Sequence, residues 1–403
     1  MDARQERGLQ IAATSRIEKN KLGWKVPSQS GSGTYIVNLD HGEPFCTCPD
    51  FEARQQPCKH IHAVEYVIQR ETKPDGTVTY TEAIRVTYNQ DWHAYNIAQT
   101  TEKKEFMRLL FDLCQTVPEP TQTFGRPRLP LSEMVFSAAL KVYSTVSGRR
   151  FMTDLETARD KGYIAHLPHY NSVFNYLENA DLTPILKQLI EATGNPLKSI
   201  ETNFAVDSTG FSTCRFDRWY DTKYGKEKSQ KKWLKAHIMC GTTTNTVASI
   251  EITPSNVNDT IMLKPLVDNS IHRFNIAEIS ADKGYCSDRN FNIINDAGCV
   301  PYIPFKENVN SNRGVRQHGS EIWTKMYHLF MFNKDTFFAH YHRRSNVEST
   351  FAMIKAKFGD SIRSKGDVAQ INELLLKVLC HNICVLIQAI YELNIDKTFW
   401  AKD

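Results

Sequence analysis

The spacing of apolar and polar residues changes along the chain, and its C-terminal half alternates between strand-like and helix-like stretches. Short apolar runs predict five strands, at 199–207, 233–240, 247–252, 276–281 and 300–304. Apolar residues three or four positions apart predict helices over 260–267, 289–296, 342–358 and 371–393. Three successive strands, followed by alternating helices and strands, indicate an α/β domain with a mixed sheet flanked by helices.

The middle of the chain has only helical periodicity. Four prolines between positions 118 and 130 indicate a linker, because proline disfavours helix interiors and sheet pairing. Helices are predicted on both sides of it, at 101–115, 131–146, 153–161, 171–179 and 183–193. The third and fourth of these resemble a helix-turn-helix, which would bind DNA, but their long connection suits a helical packing domain equally well.

The first 80 residues have the pattern of short strands and turns. Strands are predicted at 24–26 and 34–37, and a helical run over 60–70. The sequence therefore predicts four regions: a small module at 1–80, a helix and proline-rich linker at 81–130, a helical region at 131–198 and the α/β domain at 199–403.

Composition and charge narrow the function classes. Of 403 residues, 41% are hydrophobic and 23% charged, which excludes a disordered or collagen-like chain. The net charge of +4 is too small to indicate nucleic-acid binding by itself. The most apolar segment, 371–393, is interrupted by Asn, Glu, Lys, His and Gln, so we expect a buried helix and no membrane span. No apolar signal peptide begins the sequence, so its ten cysteines indicate reduced thiols or metal ligands.

Three of the cysteines fall within thirteen residues, in the pattern C-x-C-x9-C-x-H. Three thiolates and an imidazole complete the tetrahedral shell of a structural Zn²⁺ site, with no position left open for a substrate. His62 offers a second imidazole two positions after the first. The alternative is three free cysteines in a loop. The predicted ligands are Cys46, Cys48, Cys58 and a histidine, His60 or His62.

Two aspartates follow apolar runs of strand length. Asp207 follows Phe204-Ala205-Val206, and Asp282 follows the run 276–281. At the ends of neighbouring strands two acids repel each other, and a shared divalent cation would remove that cost. The alternative is two unrelated turn or N-cap residues, a common use of Asp after a strand.

A third acid lies in a helical pattern with two cations. Tyr341, Arg344, Glu348 and Lys355 are three, four and seven residues apart, which places them on one face of a continuous helix. Glu348 would ligate a cation, and Arg344 and Lys355 would hold phosphates. One alternative is a capping box, in which Glu348 returns to the Ser345 amide at the start of the helix. The other is solvated surface pairing of Glu348 with Arg344 and Lys355.

Basic residues lie between the first two strands of the predicted sheet. Residues 215–235 hold eight cations, Lys231 and Lys232 among them, against three acids, with five interleaved aromatics. Aromatics among cations suit a distorted or single-stranded DNA end. A solvated hairpin is the alternative. In the linker, Arg126 is a candidate for the minor groove, although a linker that happens to be basic explains it better.

Together these motifs resemble two families. Asp207 in V-D-S-T-G, Asp282 in A-D-K-G-Y and the spacing Tyr341-x2-Arg344-x3-Glu348-x6-Lys355 are similar to the DDE transposases of insertion sequences. The C-x-C…C-x-H pattern resembles the SWIM zinc finger, which selects His60 as the fourth ligand. The DDE resemblance implies an RNase H-like fold and a metal-binding triad of Asp207, Asp282 and Glu348. It also implies DNA contacts by Tyr341, Arg344 and Lys355.

The resemblance also implies a chemistry. Two Mg²⁺ (or Mn²⁺) ions about 3.5–4 Å apart would bridge the scissile phosphate, first for hydrolysis and then for strand transfer from a 3′-OH. The expected partners are double-stranded DNA, both element ends and target, and a second copy of the chain. The expected location is the prokaryotic cytoplasm, or the nucleus of a eukaryotic host. Two alternatives remain, an RNase H-like nuclease without strand transfer and a domesticated, non-catalytic DNA-binding protein.

Overall fold

The chain forms two compact units, Met1–Gln90 and Asp91–Asp403. A computed structural model describes residues 3–15, 17–20, 22–28, 33–39, 44–71, 91–125, 127–213, 233–306, 320–396 and 398–399. The four predicted regions stay a prediction.

The first unit combines a small sheet with three helices. Its four antiparallel strands are β1 (Glu18–Asn20), β2 (Gly23–Pro27), β3 (Thr34–Asn38) and β4 (Phe45–Cys46), and they pair in chain order. The strands predicted at 24–26 and 34–37 are β2 and β3. The helices are α1 (Ala3–Thr14), α2 (Pro49–Arg54) and α3 (Lys59–Glu71).

Helix α1 was not predicted, because strands and turns were expected throughout this segment. Its sequence has few apolar residues, so the periodic signal is weak; Ile11 is the fully buried one. Gly8 allows α1 to approach α3 closely, since a Cβ there would lie 2.7 Å from the Cβ of His62. The helix therefore depends on packing against a distant part of the chain, which a local pattern does not reveal.

The second unit begins with five helices. They are α4 (Trp92–Cys114), α5 (Leu131–Ser144), α6 (Gly148–Asp160), α7 (Tyr170–Leu177) and α8 (Leu182–Thr193). The helix predicted at 101–115 begins earlier, at Trp92, because the carboxylate of Asp91 accepts hydrogen bonds from the backbone N–H groups of His93 and Ala94. The other four agree with prediction to within a few residues.

A five-stranded mixed sheet follows. Its strands are β5 (Asn203–Ser212), β6 (Trp233–Gly241), β7 (Val247–Pro254), β8 (Glu278–Ala281) and β9 (Val300–Tyr302). The order across the sheet is β7-β6-β5-β8-β9, so β5 is central. β5, β6 and β7 pair antiparallel, whereas β8 and β9 run parallel to β5. This is the mixed sheet that the alternation of strands and helices predicted.

Among the described residues, six helices accompany the sheet: α9 (Asp259–Ile271), α10 (Asp288–Asp296), α11 (Glu321–Phe332), α12 (Lys334–Tyr341), α13 (Ser345–Phe358) and α14 (Asp367–Leu393). The single helix predicted over 342–358 is wrong at its start, because a 3₁₀ turn, His342–Arg344, separates α12 from α13. α11 and α12 were not predicted, although their aromatic side chains pack against β9 and α10.

Helix α14 lies in the main core of the second unit. Its buried side chains share one apolar cluster with α4 to α8, β6, β7 and α13. By length and composition it is the one helix among the described residues that would be able to cross a membrane. However, 83% of its most apolar 18-residue window is buried inside the protein. The prediction of a buried helix here agrees with the structure.

One buried amide joins α14 to the sheet and to α8. Asn382 is fully buried; its Oδ1 accepts a hydrogen bond from the N–H of Val247 at 2.8 Å. Its Nδ2 donates to the carbonyl of Val247 and to Oγ1 of Thr193, both at 2.8 Å. Since Val247 starts β7, this side chain satisfies the backbone where an edge strand meets the helical core.

We expect Asn382→Leu to destabilise the second unit by about 2–4 kcal/mol, because it leaves a buried N–H and C=O of Val247 unpaired. Urea unfolding followed by circular dichroism measures the change. Asn175→Leu, on the exposed surface of α7, is the matched control and should lie within about 0.5 kcal/mol of the unchanged protein. Equal stability of the two variants would contradict the assigned role of Asn382.

Candidate active site and zinc centre

The two predicted aspartates lie on adjacent strands of the sheet. β5 and β8 run parallel and pair Val206 with Ala281, so Asp207 and Asp282 are the next residues on neighbouring strands. The prediction that the strand ends at Asp207 is wrong, since β5 continues to Ser212. The small residues after Asp207 pair in register with β6, which extends the strand.

Burial and charge act in opposite directions on Asp207, whose side chain is 25% exposed. Its Oδ1 accepts a hydrogen bond from the N–H of Ser208 at 2.8 Å, and its Oδ2 accepts from Nη1 of Arg344 at 2.7 Å. Burial is the largest influence and raises the pKa of Asp207. The Ser208 N–H and Arg344 lower that pKa, the charge of Asp282 raises it, and the net shift is upward.

Asp282 lies beside Asp207 and also caps a short turn. It directly follows β8 and caps the 3₁₀ turn Lys283–Tyr285, where its Oδ1 accepts a hydrogen bond from the N–H of Lys283 at 2.6 Å. The turn-acid alternative therefore describes part of its role. It does not describe Asp207, which lies within a strand.

The third acid, Glu348, lies in the first turn of α13 with its side chain 63% exposed. Its Oε1 accepts a hydrogen bond from Nη2 of Arg344 at 2.7 Å. The capping-box alternative is not formed, because α13 begins without a side-chain cap and Ser345 Oγ donates to the carbonyl of His342. Glu348 is thus directed to Arg344 and, through it, to Asp207.

Arg344 holds two acids of the predicted triad with one guanidinium group. Its Nη1 donates to Asp207 and its Nη2 to Glu348. Among the described residues, the three carboxylates are not a group whose ligand atoms all lie close together; only the Cys/His group of the first unit is. Carboxylate oxygens are nevertheless the donors that Mg²⁺ and Mn²⁺ prefer, and a positive group already lies between two of them. The acids therefore fit a divalent cation that takes the place of the guanidinium.

Tyr341 and Lys355 flank the acids from the two ends of the predicted signature. Tyr341 ends α12 and hydrogen-bonds Arg344; burial raises its pKa. Lys355 Nζ donates to Oγ1 of Thr209 at 2.6 Å, two residues beyond Asp207 on β5. The signature therefore converges on the acids, although the 3₁₀ turn means that it does not lie on one continuous helix face.

Two further polar residues beside the acids, Asp259 and Tyr285, are not predicted by the sequence pattern. Asp259 begins α9 and accepts a hydrogen bond from Nζ of Lys235 at 2.6 Å. The buried hydroxyl of Tyr285 has no hydrogen-bond partner among the described residues. Burial raises the pKa of Tyr285, and the charges of Asp259, Asp207 and Asp282 add to the rise. The sequence around Asp259 indicates only the start of a helix, and an acid at a helix start does not by itself predict a functional site.

Three predicted DNA-binding residues lie outside the described part of the chain. They are Arg126, Lys231 and Lys232, and the last two belong to the basic loop predicted at 215–235. Of that loop only Trp233, Leu234 and Lys235 are described, at the start of β6.

The first unit brings together the predicted zinc ligands. Cys46 ends β4, Cys48 caps α2, Cys58 directly precedes α3, and His60 lies in the first turn of α3. Their ligand atoms all lie within 4.8 Å of one another, and all four side chains are buried. Nδ1 of His60 lies 3.9 Å from the sulfurs of Cys46 and Cys58. This Cys₃His set, with no exposed ligand, suits a structural Zn²⁺ ion.

One thiol of the cluster is already favoured as thiolate. A hydrogen bond from Cys46 is the largest influence on Cys58, and with His60 it lowers the pKa of Cys58 to about 3 against the opposing effect of burial. The hydrogen bond to Cys58 raises the pKa of Cys46, and burial raises that of Cys48. Thiolate is the form that binds Zn²⁺. His62, the other candidate, lies outside the cluster: its Nδ1 lies 2.9 Å from Oε2 of Glu65.

Comparison with known protein families gives two matches. Residues 198–383 match the Transposase DDE domain, and residues 35–69 match the SWIM zinc finger. No curated protein sequence matches the chain. The DDE domain implies the RNase H-like fold, so the predicted fold class is confirmed, and both families named from the motifs are confirmed with it.

We expect the purified protein to contain one zinc ion per chain and Cys58→Ser to lose it, because the thiolate ligand is gone. His62→Ala should keep the zinc, and Cys299→Ser, in the second unit, controls for loss of a buried thiol. Elemental analysis of the metal content measures each. Zinc lost from His62→Ala and kept in His60→Ala would contradict the assignment.

We expect Arg344→Gln to bind Mn²⁺ about tenfold more tightly in the absence of DNA, equivalent to ~1.4 kcal/mol, because a cation between Asp207 and Glu348 is removed. Arg343→Gln is the matched control, since Arg343 pairs with Glu278 at 3.3 Å instead. Titration followed by the electron paramagnetic resonance of free Mn²⁺ measures the affinity. Unchanged or weaker binding would show that Arg344 does not occupy the cation position.

Proposed function

We propose that this chain, which carries a DDE transposase domain and a SWIM zinc finger, cleaves DNA at the ends of a mobile element and joins those ends to target DNA. One observation carries the proposal. Asp207 and Asp282 lie on adjacent strands, and Arg344 links Asp207 to Glu348, all within the matched domain. Asp207 and Asp282 are thus neighbours across the sheet, and Glu348 is joined to Asp207 through Arg344.

Asp207, Asp282 and Glu348 would hold the metal ions, two Mg²⁺ or Mn²⁺. When bound, such ions lower the pKa of an attacking water or 3′-OH and neutralise the leaving oxygen. The protein supplies the position of the acids. The sheet holds the two aspartates on adjacent strands, and α13 carries Glu348, which is linked to Asp207 through Arg344. Arg344, freed from the carboxylates, has the planar donor pair that binds a phosphate in bidentate geometry.

Tyr341, Arg344 and Lys355 contact the element end in this proposal. Lys355 Nζ already reaches Thr209 on the strand that carries Asp207, so a phosphate at the acids would lie within its reach. Arg126, Lys231 and Lys232 stay predicted DNA contacts on sequence grounds. Joining two ends requires two active sites, so we propose a homodimer on DNA, acting in the prokaryotic nucleoid or in a eukaryotic nucleus.

We expect Glu348→Gln and Asp207→Asn to lose metal-dependent cleavage by at least about 100-fold while DNA binding is kept, because each removes a charged metal ligand. The substrate is a duplex with the gene's own flanking sequence, incubated with Mg²⁺ or Mn²⁺, and the cut strands are mapped on a sequencing gel. Asp335→Asn, an exposed carboxylate on α12, is the matched control and should cleave normally.

The same assay separates the alternatives. Joined products that need a free 3′-OH at the element end support strand transfer, whereas cutting without joining supports the RNase H-like nuclease. Binding without any metal-dependent cleavage by the unchanged protein supports the non-catalytic DNA-binding protein and overturns the proposal.

A further inference from the structure

A cavity of about 400 Å³ lies away from the acids, between helices α5 to α7 and the end of α13 with the start of α14. This volume is in the range of ligand sites in proteins. Its lining combines apolar side chains with four cations and two carboxylates. The side chains that matter here are Lys141, Phe174, Arg363, Glu373 and Lys377.

Lys141 is the unusual group in this lining. It is only 9% exposed, and among the described residues its ammonium has no hydrogen bond or ion pair. Its one ring contact is long, 6.0 Å to the centre of Phe151. Few lysines are buried this far without a hydrogen-bonded partner. Burial, and then the charge of Arg363, lower the pKa of Lys141, whereas the charge of Glu373 opposes them by raising it.

The other buried charges of the cavity are already partnered. Lys377 Nζ donates to the carbonyls of Gly359 at 3.0 Å and Ser361 at 2.7 Å. Both carboxylate oxygens of Glu373 accept backbone N–H groups from residues 363 and 364. The guanidinium of Arg363 donates to one carbonyl, that of residue 145, through Nη1. An anion in the cavity would therefore meet Lys141 and the remaining donors of Arg363.

The lining also contains aromatic and apolar side chains. Phe174 is 39% exposed, and Gly148 leaves it room, since a Cβ at Gly148 would lie 2.8 Å from the Phe174 ring. Leu177, Phe358 and Ala369 also line the cavity. A flat base stacks on such a surface without regard to its sequence. The cavity thus offers a cation to an anionic group and a ring to an aromatic group.

The cavity is also adjacent to the active-site strand. Lys355 Nζ and Lys377 Nζ approach the same ring, that of Phe211 on β5, at 5.3 and 5.7 Å from its centre. Ser212 pairs with Ser361 of the segment that lines the cavity. A strand whose phosphate lies at Lys355 would therefore need few nucleotides to reach the cavity.

We propose that this cavity binds one nucleotide of a DNA strand, with its phosphate at Lys141 and Arg363 and its base against Phe174. That the bound strand is DNA of the element end rests on the proposed function. That the cavity suits a phosphate and a base does not. A free mononucleotide presents the same phosphate and base, so the test has one arm for each source.

The first arm measures binding of a fluorescein-labelled single strand from the gene's flanking sequence by fluorescence anisotropy, without added divalent cation. We expect Lys141→Met to weaken binding and to reduce the slope of log K against log salt by about 0.7, the value for one phosphate on a single strand. Lys264→Met, exposed on α9 and paired with Asp268, is the matched control. Since Met removes a buried charge and keeps the side-chain length, the variant should fold, which circular dichroism checks.

A second variant tests the base. Phe174→Ala should weaken binding of the strand by about 5–150-fold, from the 1–3 kcal/mol of one stacked base, and should not weaken binding of an abasic strand. Phe332→Ala, an exposed ring on α11, is its control. The second arm measures binding of dAMP alone by calorimetry, to the unchanged protein and to Lys141→Met.

The outcomes distinguish this proposal from the proposed function. Loss of strand binding in Lys141→Met, with dAMP not bound, supports a site for DNA. Binding of dAMP that depends on Lys141 supports a nucleotide site, and it does so even if the unchanged protein neither binds nor cleaves DNA. Lys141→Met and Lys264→Met behaving alike in both arms overturns the cavity proposal and leaves the cleavage proposal standing.

Discussion

The structure around the acids depends on how their negative charge is balanced. Asp207 and Asp282 lie on adjacent parallel strands, where burial and mutual repulsion raise the pKa of Asp207. Arg344 offsets this cost by donating to Asp207 and Glu348 together. To reach both, it lies in a 3₁₀ turn between α12 and α13. The 3₁₀ turn therefore carries the residue that links the two acids.

The sheet and the helices contribute differently to this arrangement. Both aspartates are fixed by backbone pairing of β5 with its neighbours, and β5 is the central strand. Glu348 is held from a helix and is mostly exposed, so its position depends on side-chain contacts. Helix α14 supports both parts, because Asn382 pairs with the backbone of β7 while the apolar residues of α14 pack against α13. Changes in the core are thus expected to move Glu348 more readily than the aspartates.

Local pattern predicted most of the fold because the apolar runs of β5 and β8, and the periodicity of α14, are recorded in consecutive residues. The acids at 207 and 282 were predictable for the same reason, since each directly follows such a run. Long-range packing decided the rest. The start of α13 after Arg344 depends on Asp207, which is 137 residues away in sequence. Likewise, nothing near Lys141 in the sequence indicates that it would be buried beside Arg363 without a hydrogen-bond partner.

Two cations of the second unit, Arg344 and Lys141, would change partners in the proposed complex with DNA and metal. Arg344 neutralises carboxylates that divalent ions would neutralise, and the cost of burying Lys141 is not offset by a hydrogen bond or ion pair. In the proposed complex the ions take over the acids, Arg344 turns to a phosphate, and Lys141 receives another. Each exchange replaces a partner that the free protein already provides, Asp207 and Glu348 for Arg344 and the charge of Glu373 for Lys141. Metal ions at the carboxylates would displace Arg344, and a DNA phosphate would give Arg344 a new partner. Binding of metal and binding of DNA are therefore expected to favour each other, and the protein without DNA would hold its metal ions weakly.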